Sequence, residues 1–252
     1  MPYFDLSPTE LEAYAPQISE PSDFDAFWNA TIEESRLAGW EPRLTPVDSA
    51  LRSVDVLDVS FAGFGGDPIK AWLLLPTGAT ESLPAVVEYI GYGGGRGLPS
   101  ERLAWSSAGY AHLIMDTRGQ GSTWGAGGGT PDPHGTGAAT NGYMTRGIQD
   151  PADYYYRRVF TDAVRAVDAI RALPEIDAAR VAVTGGSQGG GIALQIRQRP
   201  LGPREPGRTV HRVVPMRGPD TVHSAGPRPP RQHGRIPAQP DRVAERTQHP
   251  LG

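Results

Sequence analysis

The segment Gly185-Gly186-Ser187-Gln188-Gly189-Gly190 carries the sharpest chemical signal in the chain. It fits G-x-S-x-G between an apolar strand candidate, Val181-Ala182-Val183, and an apolar helix start, Gly191-Ile192-Ala193-Leu194. That context defines a nucleophile elbow, in which a serine sits on a sharp strand-to-helix turn. The reason for the glycines is steric, since flanking side chains would collide with the neighbouring strand and helix. The helix start aims backbone N–H groups and its dipole at the place where an oxyanion forms. Ser187 is therefore the candidate nucleophile, and the Gln188 backbone N–H a candidate oxyanion donor. The bland alternative is a glycine-rich turn whose serine caps a helix. A phosphate loop is disfavoured because no Gly-Lys-Ser/Thr follows. A nucleotide-binding α/β domain would also need an acidic residue for the ribose, and none is suitably placed.

A second glycine loop, Tyr89-Ile90-Gly91-Tyr92-Gly93-Gly94-Gly95-Arg96-Gly97, follows a short apolar strand candidate, Ala85 to Ile90. An esterase needs a second oxyanion donor from such a loop, and the Tyr92 backbone N–H is the candidate. Read alone, the loop could equally be a flexible glycine connection. Asp116-Thr117-Arg118-Gly119-Gln120-Gly121-Ser122 follows the next strand candidate. There Arg118 either pairs with a carboxylate and braces the site or is an ordinary surface arginine. The Gly-, Thr- and Pro-rich stretch 125–142 reads as a lid or an oligomer contact, and its His134 as an exposed loop histidine rather than a base.

The elements that must hold these loops follow from periodicity. Residues 8–40 read as helical, opened by the capping box Ser7-Pro8-Thr9-Glu10 and continued after Pro21 by Phe24, Phe27, Trp28 and Ile32 on one stripe. Val54 to Phe61 and Ile69 to Leu75 form a hairpin around a glycine-rich turn. Ala111 to Met115 and Arg180 to Thr184 are further strands. Residues 103–109 and 153–173 are helices, the second with Tyr156, Phe160, Ala163, Val167 and Ile170 along one face. Strands alternating with helices predict an α/β fold with a central, mostly parallel sheet, the hairpin forming an antiparallel edge. All three loops then leave the carboxyl ends of strands, where open α/β sheets build their sites.

Composition bounds the rest. With no cysteine there is no thiol nucleophile, disulfide or cysteine zinc site. No run of 18 apolar residues exists, and the acidic N-terminus has no signal-peptide pattern. A cytoplasmic protein is expected, without cofactor or metal. The formal charge of -4 joins two unlike parts. Residues 1–195 hold every aromatic and the only lysine, Lys70, and sum to -11. Residues 196–252 hold 11 arginines and 11 prolines, no aromatic, and sum to +7.

The quoted segments, with Met1-Pro2-Tyr3-Phe4-Asp5-Leu6, Phe24-Asp25-Ala26-Phe27-Trp28 and Tyr154 to Asp162, resemble the acetyl xylan esterase and cephalosporin C deacetylase family, carbohydrate esterase family seven. The likeness runs from Met1 to about Leu194. It implies an α/β-hydrolase fold, Ser187 as nucleophile, and an oxyanion hole from the Gln188 and Tyr92 N–H groups. It further implies deacetylation of acetylated xylo-oligosaccharides, cephalosporin C or other small acetyl esters, and a homohexamer with sites facing an internal cavity.

After Leu194 the family's aspartate and Asn-His-Glu segment are absent, and neither Asp220, Asp241 nor His211, His223, His233 and His249 matches them. The expectation is a partial hydrolase domain over 1–195, incomplete at its C-terminal strands. The tail, 196–252, then reads as out of frame or disordered, since proline-rich, aromatic-free chain cannot build the late strands. Nucleic-acid binding by the basic tail is disfavoured, with no interleaved aromatics. A non-catalytic hydrolase remnant acting as an interaction protein is the competing function.

Overall fold

The computed structural model describes residues 6–121, 123–135, 142–198 and 213–216, the side chains of 197, 198 and 213–216 excepted. The chain divides into two units, Met1–Gly218 and Pro219–Gly252, and all described residues belong to the first.

Two helices open the chain, α1 (Pro8–Ala13) and α2 (Phe24–Leu37). The capping box forms as read: the Ser7 backbone N–H donates to Glu10 at 2.8 Å while the Glu10 N–H donates back to the Ser7 hydroxyl. The helical stretch is not continuous, and residues 14–21 between the helices have no regular structure. Pro16 and Pro21 interrupt the backbone hydrogen bonding there.

Strands β1 (Arg43–Val47), β2 (Val54–Ala62), β3 (Pro68–Pro76) and β4 (Leu83–Tyr89) follow, then the short helix α3 (Ala104–Ser107) and strand β5 (Ala111–Met115). Helix α4 (Tyr155–Arg171), strand β6 (Ile176–Gly186), helix α5 (Gln188–Gln198) and strand β7 (Val213–Met216) complete the described elements. They form one sheet in the order β1-β2-β3-β5-β4-β6-β7. The β2–β3 hairpin forms as expected, but β1 lies outside it, so the edge is a strand that the sequence reading missed. Pro46, which donates no hydrogen bond, suits an edge. Pairings β1–β2, β2–β3 and β3–β5 are antiparallel, and β5–β4, β4–β6 and β6–β7 are parallel. The sheet is thus mixed, with its parallel half carrying the three glycine loops.

Residues 196–252 were expected to add no strand and to leave the far side of β6 uncovered. Val213–Met216 corrects this, pairing in parallel with Val183–Gly186 of β6. An open strand presents unpaired N–H and C=O groups, and Val213-Val214 is the stretch of the tail with the highest β-propensity. The tail's Asp220, Asp241, His211, His223, His233 and His249 lie outside the described residues.

The sheet buries both faces. In β2, Val54 and Val56 point to one side and Val59 and Phe61 to the other, the two-residue period of a strand. Helix α4 seats Tyr155, Val159, Ala163, Ala166 and Ile170 on one face, joined by Ile32 of α2 and Ile192, Ala193 and Ile196 of α5. The opposite face holds a smaller cluster, Val54, Val56, Leu74, Ile90 and Ile114, with Trp72 and Leu103 against it.

Candidate active site

Strand β6 pairs with β4 so that Gly185 lies opposite Tyr89. The elbow after β6 and the loop after β4 therefore emerge side by side at the carboxyl edge. Ser187 has φ 53°, one of two non-glycine residues with positive φ among the described ones. That left-handed conformation is costly for a residue with a Cβ, and it is the geometry an elbow serine adopts. A methyl group on Gly185 would lie 2.3 Å from the Gly189 carbonyl carbon, and one on Gly189 2.0 Å from the Tyr89 carbonyl oxygen. Both glycines of G-x-S-x-G are thus required by the close approach of helix start and strands.

The Ser187 side chain is exposed and has no hydrogen-bond partner among the described residues. Gln188 begins α5, and the first N–H groups of a helix have no carbonyl one turn back to receive them. The Tyr92 N–H likewise makes no hydrogen bond among the described residues. The position of a Cβ on Gly91 would lie 3.5 Å from the Gly186 carbonyl oxygen and 3.9 Å from the Ser187 Cβ, so the loop carrying Tyr92 abuts the elbow. The structure brings Ser187, Gln188 and Tyr92 to one edge of the sheet.

Side chains fix these backbones. Gln120 is buried and spans the two loops: its Oε1 accepts from the Gly93 N–H at 2.5 Å and its Nε2 donates to Gln188 Oε1 at 2.9 Å. The Tyr156 hydroxyl donates to the same Gln188 oxygen at 2.7 Å. The Tyr92 hydroxyl accepts from the Gly142 and Tyr143 N–H groups at 2.8 and 3.0 Å. Trp124 donates through Nε1 to the Tyr92 carbonyl at 2.6 Å. Asp116, at the end of β5, accepts from the Arg96 N–H at 3.0 Å and from Gly129 and Thr130 at 2.7 and 2.8 Å. Trp124, Gln120 and Tyr156 were not assigned to the site from sequence. Only their position after the strand ends, or on the face of α4 nearest the elbow, could have drawn attention to them.

Arg118 takes the bracing role, not that of a surface arginine. It is fully buried and forks onto Asp162 of α4 at 2.5 and 2.7 Å, with Asp67 at 2.9 Å and Asp132 at 3.3 Å. Burial alone would ease its proton off; Asp162, Asp67 and Asp132 outweigh this and hold the guanidinium charged. Burial also pushes the Asp132 carboxyl up, but Arg158, whose Nη2 lies 2.8 Å away, and then Arg118 bring it below the usual carboxylate range. His134 is part-exposed and lies against this cluster, its Nε2 2.7 Å from Asp67. The other described histidine, His112, is buried in β5 with Nε2 3.0 Å from Glu88 Oε2, off the line of a hydrogen bond. Neither is hydrogen-bonded to Ser187 among the described residues.

A mixed sheet covered by helices, with a serine on a strained strand-to-helix turn at its carboxyl edge, defines an α/β-hydrolase. The acetyl xylan esterase (AXE1) family model matches residues 1–199. The chain belongs to that family. It is 41% identical to the acetyl xylan esterase from Paenibacillus sp. R4, with a TM-score of 0.69 over 76% of this chain and 60% of that one. Acetyl xylan esterase 1 from Thermoanaerobacterium sp. JW/SL YS485 is 30% identical, with a TM-score of 0.67 over 76% of this chain and 59% of that one. Acetyl esterase Axe7A of Xylanibacter ruminicola is 29% identical over 208 residues, 73% of this chain and 42% of that protein. The chain therefore spans only part of the length of each relative.

Proposed function

We propose that the protein is an acetyl ester hydrolase that works by acyl transfer through Ser187. The observation that carries this reading is the elbow itself: an exposed serine at positive φ, between glycines that admit no side chain, beside two N–H donors. Ser187 Oγ attacks the acetyl carbonyl and its proton passes to a base, which hands it to the ester oxygen as the acyl C–O bond breaks and the alcohol leaves. The Gln188 and Tyr92 N–H groups receive the oxyanion. Water then releases acetate and restores the serine. Acetylated xylo-oligosaccharides and cephalosporin C are the proposed substrate class, and a cytoplasmic homohexamer the proposed setting.

In the Ser-His-Asp arrangement of this fold the base is a histidine. Both described histidines lie against carboxylates elsewhere, which favours a second reading, a non-catalytic hydrolase remnant acting as an interaction protein. Hydrolysis of p-nitrophenyl acetate, with intact mass confirmed, separates the two. Turnover that disappears in Ser187→Ala is the expected result for the esterase. An unchanged rate in Ser187→Ala rejects the serine mechanism, and no hydrolysis by the parent selects the remnant.

A further inference from the structure

One exposed aromatic side chain beside the elbow, Trp124, has no part in the acyl-transfer steps above. Trp124 lies across the glycine loop after β4. A methyl on Gly94 would meet its Cζ2 at 2.5 Å and Cη2 at 2.9 Å, one on Gly91 its Cζ2 at 3.4 Å, and one on Gly93 its Cδ1 at 3.7 Å. Cδ1, Nε1, Cζ2 and Cη2 share one long edge of the indole, so that edge runs along the glycine loop. The absent side chain at Gly94 is what makes the room. The ring is pinned as well as seated. Its Nε1–H donates to the Tyr92 carbonyl, and Trp124 forms a parallel bridge with Gly94. The preceding Thr123 donates from its backbone N–H to the Gly93 carbonyl at 2.6 Å and from its hydroxyl to the same oxygen at 2.9 Å.

Despite these anchors, 51% of Trp124 is exposed. An indole held along one edge and half exposed is a preorganised apolar plane, which binds a flat partner with little ordering cost. Its place beside Ser187 follows from Gly91, whose Cβ position touches both the indole and, at 3.9 Å, the Ser187 Cβ. The indole is therefore within reach of the alcohol portion of a ligand whose acetyl group meets Ser187.

We propose that the exposed face of Trp124 is a stacking platform for the ring of an acetylated pyranose, the alcohol half of the substrate. This rests on the acetyl-ester reading above and adds the residue that selects a ring over a chain. A pyranose presents a face of C–H groups that an indole covers, whereas a short linear ester offers it nothing comparable. Pockets for small molecules combine such apolar surfaces with a few placed polar groups, here the N–H donors of Tyr92 and Gln188.

The test measures binding and does not need turnover. In a Ser187→Ala background, xylose tetra-acetate, phenyl acetate and ethyl acetate are titrated while the Trp124 indole N–H resonance is followed by NMR. The resonance is assigned from its loss in Trp124→Phe, and backbone amide spectra verify folding of each variant. The expected result is that xylose tetra-acetate shifts the Trp124 signal and binds about tenfold more weakly to Trp124→Ala, equivalent to about 1.4 kcal/mol. Trp124→Phe, which keeps a ring without the Tyr92 hydrogen bond, retains most of the affinity, and ethyl acetate is unaffected by either change. Equal loss in Trp124→Phe and Trp124→Ala would show that the hydrogen bond to the loop is what counts, and overturns the platform. So does equal sugar affinity in parent and Trp124→Ala, dependence of phenyl acetate alone on the ring, or no binding of the sugar. Trp124-dependent sugar binding by a protein that hydrolyses no ester leaves the platform standing and rejects the esterase.

Discussion

Ser187 holds a conformation that costs stability, and the elbow glycines are placed to tolerate it. Relief of that strain gives a direct prediction. Ser187→Gly removes the Cβ from a φ of 53° and should raise unfolding free energy by about 1 kcal/mol, seen as a higher urea midpoint. A lower midpoint would contradict the elbow strain. Stability gained at the expense of chemistry is the pattern expected of a functional residue. The neighbouring glycine behaves oppositely. Gly189→Ala drives a methyl into the Tyr89 carbonyl and should cost about 1–3 kcal/mol, measured by the same unfolding curves. At this scale the sequence was highly informative, because G-x-S-x-G states a steric requirement that contact with β4 then imposes.

Among elements, the Arg118 cluster joins pieces far apart in the chain. It links the end of β5 to α4 through Asp162, to the β2–β3 turn through Asp67, and to the loop at Asp132. The Tyr155 hydroxyl adds a bond to the Arg118 carbonyl. Arg118→Met leaves Asp162 buried without its partner and should destabilise by about 3–5 kcal/mol in chemical denaturation. Asp132 supplies a pH signature. Its folded carboxyl is held below the usual range, so the unfolded chain takes up its proton first as pH falls. Its stabilising share is complete above an ordinary aspartate pKa, about 4, and is lost as pH drops through the lower folded value. Asp132→Asn should flatten that acid limb of stability; an unchanged slope would show that Asp132 does not carry it. Arg118 as a pairing residue was legible, but which carboxylates it meets was not, since Asp67 and Asp162 approach only when hairpin and helix pack.

Across the whole molecule, protection is expected to be uneven. Helix α1 has no buried residue and only local hydrogen bonds, whereas every residue of β5 is buried between β3 and β4. Native-state hydrogen exchange should therefore find amides of α1 nearly unprotected and those of β4 and β5 exchanging only on global unfolding. Equal protection in both regions would contradict this. The alternation of strands and helices identified the α/β class. It did not reveal β1, because Arg43-Leu44-Thr45-Pro46-Val47 has little apolar pattern of its own and takes its conformation from pairing with β2. Nor did it reveal β7, whose partner β6 is separated from it by α5 and the residues that follow.

The sequence by itself determined the elbow serine, the two glycine loops and the α/β class, because these depend on local sterics and short-range periodicity. Only the tertiary structure decided that Gln120 spans both loops, that Arg118 gathers acids from three segments, and that Trp124 lies along the glycine loop beside Ser187. Those contacts join residues distant in sequence, and which of them meet is set by strand order and parallel register rather than by any pattern within one segment.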